Sequence, residues 1–380
     1  MTSSYRSIAI LLIVTGTFVA SNIYTLIPIY DLLTDELTTT TSMIALGSTS
    51  FTLCYAIGLL LFGTMSDVVG RKPILVLGML LFSITSLCVS FADSDFSMIV
   101  TRGLQGFAGG SFAPVAFAYT FDLYNGKFRA LILSMINTGF LVAGILGQII
   151  SASIATNHGW EYVFYFYFVI YLLLFLLSAK FLPQNKSKTN TSFKPLQSIK
   201  LFSSFLQSKN LLLCYIITFS LLLTPISFYD ALNQYLLPIS SAEDLFFIRT
   251  VALLGTILSI FGGAINAKYG LKGSFYIGIA LLIGSLIPMI LIPDFYVILY
   301  SAIFLVSSIS ILIPTIIAII GTIEQKSRGS AIALYSFTLL IGASFGSLLT
   351  SILPFQGVLL FLLLYGIINI FLMRKISYSR

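Results

Sequence analysis

The sequence predicts an all-α membrane protein with twelve transmembrane helices, built as two six-helix bundles related by pseudo-twofold symmetry. Three observations carry this: twelve apolar runs near the ~20 residues that cross a bilayer, basic residues confined to alternate loops, and correspondences recurring at an offset of about 200 residues. Composition agrees, with 58% hydrophobic and only 9% charged residues and a mean hydropathy of +1.02. A soluble domain covers itself with charged residues to about a quarter of its length, a need that lipid removes. A soluble enzyme is thereby excluded.

Spans are expected at 8–30, 42–62, 73–92, 97–120, 130–154 and 162–182, then at 211–236, 245–266, 273–292, 295–320, 330–352 and 356–372. The first follows Arg6 and is longer than the roughly 7–15-residue apolar core of a signal peptide. It lacks a convincing cleavage site and has a counterpart in the second half, so it reads as a span. Pro293-Asp294 separates spans nine and ten. The least apolar stretch, 183–210, carries Lys186, Lys188, Lys194, Lys200 and Lys209 and no acid. It is expected to be a cytoplasmic linker, with an interfacial helix around Pro195–Gln207. The predicted domains are therefore 1–182, the linker 183–210, and 211–380.

Charge sets the expected topology. With the N-terminus inside, every basic residue falls on the cytoplasmic side except Arg102 and Arg249, which lie within spans. External loops carry acids instead: Asp31, Asp35, Glu36, Asp93, Asp95, Glu161, Glu243, Asp244 and Asp294. This is the positive-inside pattern, and it assigns both termini to the cytoplasm. It also explains the net charge of +7 without a nucleic-acid partner.

The repeat is specific. Lys127-Phe-Arg129 before span five matches Lys326-Ser-Arg328 before span eleven. Gly63, Gly70 and Lys72 match Gly263, Gly270 and Lys272, and Tyr30-Asp31 matches Tyr229-Asp230. Chemistry-bearing clusters are missing. Cys54, Cys88 and Cys214 fall in apolar runs, the one histidine, His158, sits in a short loop, and no ATP-binding or nucleophile-elbow motif occurs. No metal or cofactor is expected.

The loop between spans two and three reads Gly63-Thr-Met-Ser-Asp67-Val-Val-Gly70-Arg71-Lys72. Gly63 suits a close helix approach, Gly70 a tight turn, and Asp67 a helix N-terminus. The run resembles the signature of the major facilitator superfamily, G-x-x-x-D-x-x-G-R-K/R, and so implies that family's fold. The resemblance further implies that Asp67 meets the start of span eleven when the transporter is open outward. It also implies that Arg71 pairs with an acid ending span four, where Asp122 stands. The second copy has Ala267 in place of the acid, so locking should depend on the first.

Arg102-Gly-Leu-Gln105-Gly106 in span four is similar to the family's second motif, R-x-x-x-G. Arginine within a bilayer is a functional candidate by default, so Arg102 and Gln105 are expected to serve coupling or binding; the alternative is that Arg102 snorkels to the surface. Arg249 has no motif behind it, and snorkelling or pairing with Asp230 is expected. The antiporter motif of span five, G-x-x-x-G-P-x-x-G-G, survives only at Gly139 and Gly147, with Ala143-Gly144 and no proline between. The motif run from 63 to 147, with Gly159-Trp160-Glu161 following, resembles bacterial drug/proton antiporters.

That resemblance implies a monomeric secondary transporter in the cytoplasmic membrane. It would export a small molecule by alternating access and draw on the proton gradient. Proton-coupled uptake of a small polar metabolite is the alternative, and a membrane-embedded non-transport protein a remote one. The spans hold no deep carboxylate, so Asp31 and Asp230 are the candidates for coupling or an external gate. Asn22, Tyr24, Asn137, Gln148, Asn233 and Tyr335 are candidate cavity-lining residues, although such groups also serve helix packing. The partners expected are substrate, protons and membrane lipid.

Overall fold

The computed structural model describes residues 3–184, 195–236 and 242–377. The linker residues 185–194, with Lys186, Lys188 and Lys194, and the terminal Arg380 lie outside the described residues, as does the side chain of Glu243. Every described element is a helix. Eleven are long and apolar enough to cross a membrane: Tyr5–Glu36, Thr41–Val69, Arg71–Val89, Gly126–His158, Trp160–Phe181, Lys209–Leu236, Asp244–Phe261, Ala264–Leu291, Phe295–Ile323, Arg328–Thr350 and Phe355–Lys375. Span four completes the twelve as two shorter helices, Asp95–Gly109 and Ala113–Leu123. A linker helix, Pro195–Gln207, occupies the segment expected to be interfacial.

Local chemistry sets the helix ends. The Thr40 hydroxyl accepts from the Met43 amide to start span two, and Ser94 and Ser97 form a reciprocal capping box before span four. Gly70 (φ +104°) turns span two into span three, and Gly270 (φ +71°) makes the matching turn between spans eight and nine. Only glycine adopts such backbone angles without strain, so the duplicated sequence builds a duplicated turn. Gly159 (φ +106°) ends span five four residues later than the expected 154, so His158 is the last residue of that helix rather than a loop residue.

Three expected helices are interrupted. Span one is helical over Ser3–Ser21, tightens into 3₁₀ turns at Asn22–Tyr24 and Ile27–Ile29, and resumes at Tyr30–Glu36. Pro28 accounts for this, because it has no amide hydrogen and its ring crowds the preceding turn. Span four breaks at residues 110–112, just before Pro114, where Gly110 lies so near the span-two backbone that a Cβ would sit 2.6 Å from the Leu59 nitrogen. Its counterpart, span ten, carries Pro314 yet stays helical from Phe295 to Ile323; side chains, not a glycine pair, precede that proline. Span eight is 3₁₀ over Leu253–Phe261, with Gly255 pressed against the backbone of Ser307 in span ten.

The chain packs as two compact units. One comprises Met1–Asp122, Gly139–Ile199 and Ser327–Ala333; the other comprises Leu123–Thr138, Lys200–Lys326 and Leu334–Arg380. The opening of span five therefore groups with most of the second half of the sequence, and the opening of span eleven with most of the first. In the first unit, span two packs on span four and span three on span six; in the second, span nine packs on span ten and span seven on span twelve. Span ten is buried without interruption from Leu305 to Gly321. Large apolar side chains such as Phe96, Leu291 and Ile352 are exposed, as a lipid-facing surface requires.

Candidate functional site

The loop motif builds a charged cluster in the first unit. Asp67 accepts from the Gly329 amide at 3.0 Å, the Ser330 amide at 2.8 Å and the Ser330 hydroxyl at 2.6 Å. A carboxylate thus caps span eleven from a residue 263 positions away in sequence, satisfying orphan amides and facing the positive end of the helix dipole. Arg71 donates to Asp67 at 2.6 Å, to the Ser66 hydroxyl at 2.5 Å and to Asp122 at 3.4 Å. Arg328 donates to the other Asp122 oxygen at 3.4 Å and lies over the Phe121 ring at 4.7 Å. The two carboxylates are only 11% and 8% exposed, so these contacts are weakly screened by water.

Glycines make the approach possible. A Cβ on Gly63 would collide with Ala333, and one on Gly329 would sit 2.6 Å from the Gly63 carbonyl oxygen. Gly70 supplies the turn described above, and Lys72, half-buried, forms no ion pair among the described residues. Sequence reasoning missed Ser66, Gly329 and Ser330. Their only signal was position, since they flank Asp67 and the basic pair that opens span eleven.

Arg102 is the other feature of this unit. It is wholly buried, so it does not snorkel. Its Nη1 donates to Asn22 Oδ1 at 2.6 Å and to Gln105 Oε1 at 2.5 Å, and its Nη2 to the Asn22 carbonyl at 3.2 Å. Gln105 in turn donates to the Ser86 hydroxyl at 2.8 Å. The guanidinium stands 4.3 Å from the Phe51 ring centre and 5.8 Å from that of Phe164. Arg102 Nε and Asn22 Nδ2 have no hydrogen-bond partner, and a buried donor left unmade costs about 1–3 kcal/mol. The motif match pointed to Arg102 and Gln105; nothing in the sequence pointed to Ser86 or Phe51.

The structure brings Arg102 to Asn22 because span one is broken there. The Asn22 carbonyl keeps a long 3.5 Å bond from the Thr25 amide and is taken also by Arg102 and by the Thr25 hydroxyl at 2.9 Å, and the Thr25 carbonyl by the Ser151 hydroxyl at 2.5 Å. Tyr167 shares a 3.0 Å hydrogen bond with Ser21. Span five lies against this segment through the two retained antiporter glycines, Gly147 touching the Ser21 carbonyl and Gly139 the Thr17 side chain. The half-buried Tyr24 ring is near Gly144, and Gln148 folds back on the Gly144 carbonyl at 2.8 Å. Asp31 is exposed at the start of the last helical segment of span one.

In the second unit, Arg249 lies over the Tyr229 ring at 5.4 Å, and Asp230 and Asn233 are half-buried in span seven. Asn369 donates to Ser220 at 2.8 Å, echoing the Tyr167 contact on Ser21 at the matching place in the repeat. Asn137 and Tyr335 are buried, with Asn137 Nδ2 and the Tyr335 hydroxyl unpartnered. Beside Asn137, Thr138 hydrogen-bonds Ser259 in the 3₁₀ stretch of span eight.

A family model described as Major Facilitator Superfamily matches residues 12–346. Multidrug resistance protein 3 of Bacillus subtilis is 31% identical over 116 residues, which cover 30% of this chain and 23% of that protein. Multidrug resistance protein MdtL of Shewanella oneidensis is 32% identical over 130 residues, covering 34% of this chain and 33% of that one. The matched stretches thus span a third or less of these relatives' own lengths. A structure of the proton:xylose symporter XylE bound to 6-bromo-6-deoxy-D-glucose superposes with a TM-score of 0.74 at 16% identity, over 100% of this chain and 97% of that one. Twelve helical spans, a capped span eleven and a match over most of the sequence lead to one assignment: the chain belongs to the Major Facilitator Superfamily, and is a multi-pass membrane transporter, not an enzyme.

Proposed function

We propose that the protein exports a small molecule by alternating access, as a proton antiporter of the cytoplasmic membrane. The observation that carries export is the seat of Gly139 and Gly147, the surviving glycines of the antiporter motif, directly on span one. The names of the two multidrug resistance relatives support it. Basic residues on alternate loops support cytoplasmic termini, and the predicted halves 1–182 and 211–380, joined by the linker 183–210, are proposed as the moving bodies, working as a monomer. Asp67, Gly63, Gly70, Arg71, Lys72 and Asp122 would form the cytoplasmic latch. Releasing span eleven would break the Asp67 cap, and rebuilding the cap would restore the outward-open state.

Asp31 and Asp230 are the proposed proton carriers or external gate. A pH gradient imposed on proteoliposomes should drive transport in the wild type and lose its effect in Asp31→Asn or Asp230→Asn; unchanged coupling in both variants would remove this assignment. One observation favours uptake instead, the Ala143-Gly144 pair where antiporters carry Gly-Pro. Solute counterflow separates the two readings. Export requires active accumulation in everted vesicles, and accumulation confined to right-side-out vesicles would refute it.

A further inference from the structure

Arg102 has a charge that its surroundings do not explain. Every acceptor it reaches is a neutral amide oxygen, on Asn22 or Gln105. It forms no ion pair among the described residues. Holding the Asn22 carbonyl would need only a neutral donor, whereas a buried guanidinium without a carboxylate carries a desolvation penalty that its neutral contacts offset poorly. Arg102 Nε and Asn22 Nδ2, both unpartnered, belong to the same pair of touching side chains. Phe51 and Phe164 stand beside the guanidinium, and the facing backbone is the interrupted stretch of span one.

We propose that Arg102 is the counter-charge for an acidic substrate: a small organic anion whose carboxylate, sulfonate or phosphate oxygens accept from Arg102 Nε and Asn22 Nδ2. Its apolar body packs on the two aromatic rings. Binding requires the Asn22–Ile29 segment to shift, and the interruption of span one is what lets it move without unravelling a continuous helix. The proposal depends on the exporter reading only for the direction of movement; charge preference is a property of binding.

Trp160 is the sole tryptophan, and its ring lies 6.1 Å from Phe164, which adjoins Arg102. Its emission therefore reports on this cluster. The full chain in lipid nanodiscs is titrated with three probes of similar shape: benzenesulfonate, neutral benzenesulfonamide and cationic benzamidinium. The sulfonate should bind at least about tenfold more tightly than the sulfonamide, a difference of one good charge-assisted contact, with benzamidinium weakest. Arg102→Gln should abolish the preference. Asn22→Asp places a carboxylate where the substrate's would lie, so it should also abolish the preference while raising the thermal midpoint. A purely structural arginine would leave the probes undiscriminated in the wild type, or their ranking unchanged in Asn22→Asp; either result overturns the proposal. Labelled benzenesulfonate in everted and right-side-out vesicles then tests direction by itself, so the exporter reading can fail while the anion site stands.

Discussion

Replacing Asp67 by Asn removes one negative charge and turns one carboxylate oxygen into a donor that faces other donors. Four contacts are at stake: two span-eleven amides, the Ser330 hydroxyl and Arg71, all within 3.0 Å. Charge-assisted hydrogen bonds contribute about 1.5–3 kcal/mol each, and the amide retains roughly half of them. A net loss of about 3–6 kcal/mol follows, or roughly 10²–10⁴-fold in the equilibrium between capped and released span eleven. Hydrogen exchange reads this directly, because the Gly329 and Ser330 amides are protected by Asp67. Peptic fragments covering 324–334 should exchange at least about a hundredfold faster in Asp67→Asn, in proportion to the open population. Fragments from Arg71–Val89 should not change. Unaltered exchange at Gly329 and Ser330 would show that the carboxylate does not hold the start of span eleven, and the latch would have to be abandoned.

Asp122→Asn should act in the same direction but less, about tenfold in that exchange rate, because its contacts to Arg71 and Arg328 are 3.4 Å long. Gly147→Ala puts a methyl group into the Ser21 carbonyl and should destabilise by about 1–3 kcal/mol, seen as a lower thermal midpoint in detergent. Gly284→Ala, which meets nothing within 4 Å, should be neutral or slightly stabilising in the same measurement. Ser151→Ala leaves the buried Thr25 carbonyl without that donor and should cost about 1–3 kcal/mol, with faster exchange confined to fragments containing residues 22–30.

Hydropathy located all twelve spans because lipid imposes a length and an apolarity that no tertiary contact can alter. It could not see the breaks. Pro28 and Pro114 were visible, but so was Pro314, and span ten stays helical through it; the outcome depends on the backbone packed alongside, such as the Leu59 turn against Gly110. Motif spacing singled out Asp67, Arg71, Asp122 and Arg102. Ser330, which caps through Asp67, and Ser86, which holds Gln105, are common polar types that no motif marks, and only folding brings them near; Arg328 and Asn22 were visible as a repeat match and a polar span residue, but not as partners of Asp122 and Arg102.

By itself, the sequence determined the class of protein, its span count and its internal duplication, since these follow from composition and from a repeat along one dimension. Only the tertiary structure decided which units the openings of spans five and eleven join. It alone showed Asp67 capping a helix from far along the chain, and Arg102 buried among neutral amides with no ion pair among the described residues. The physical reason is that the environment of a charge is set by the neighbours that packing gives it, and those lie on other helices.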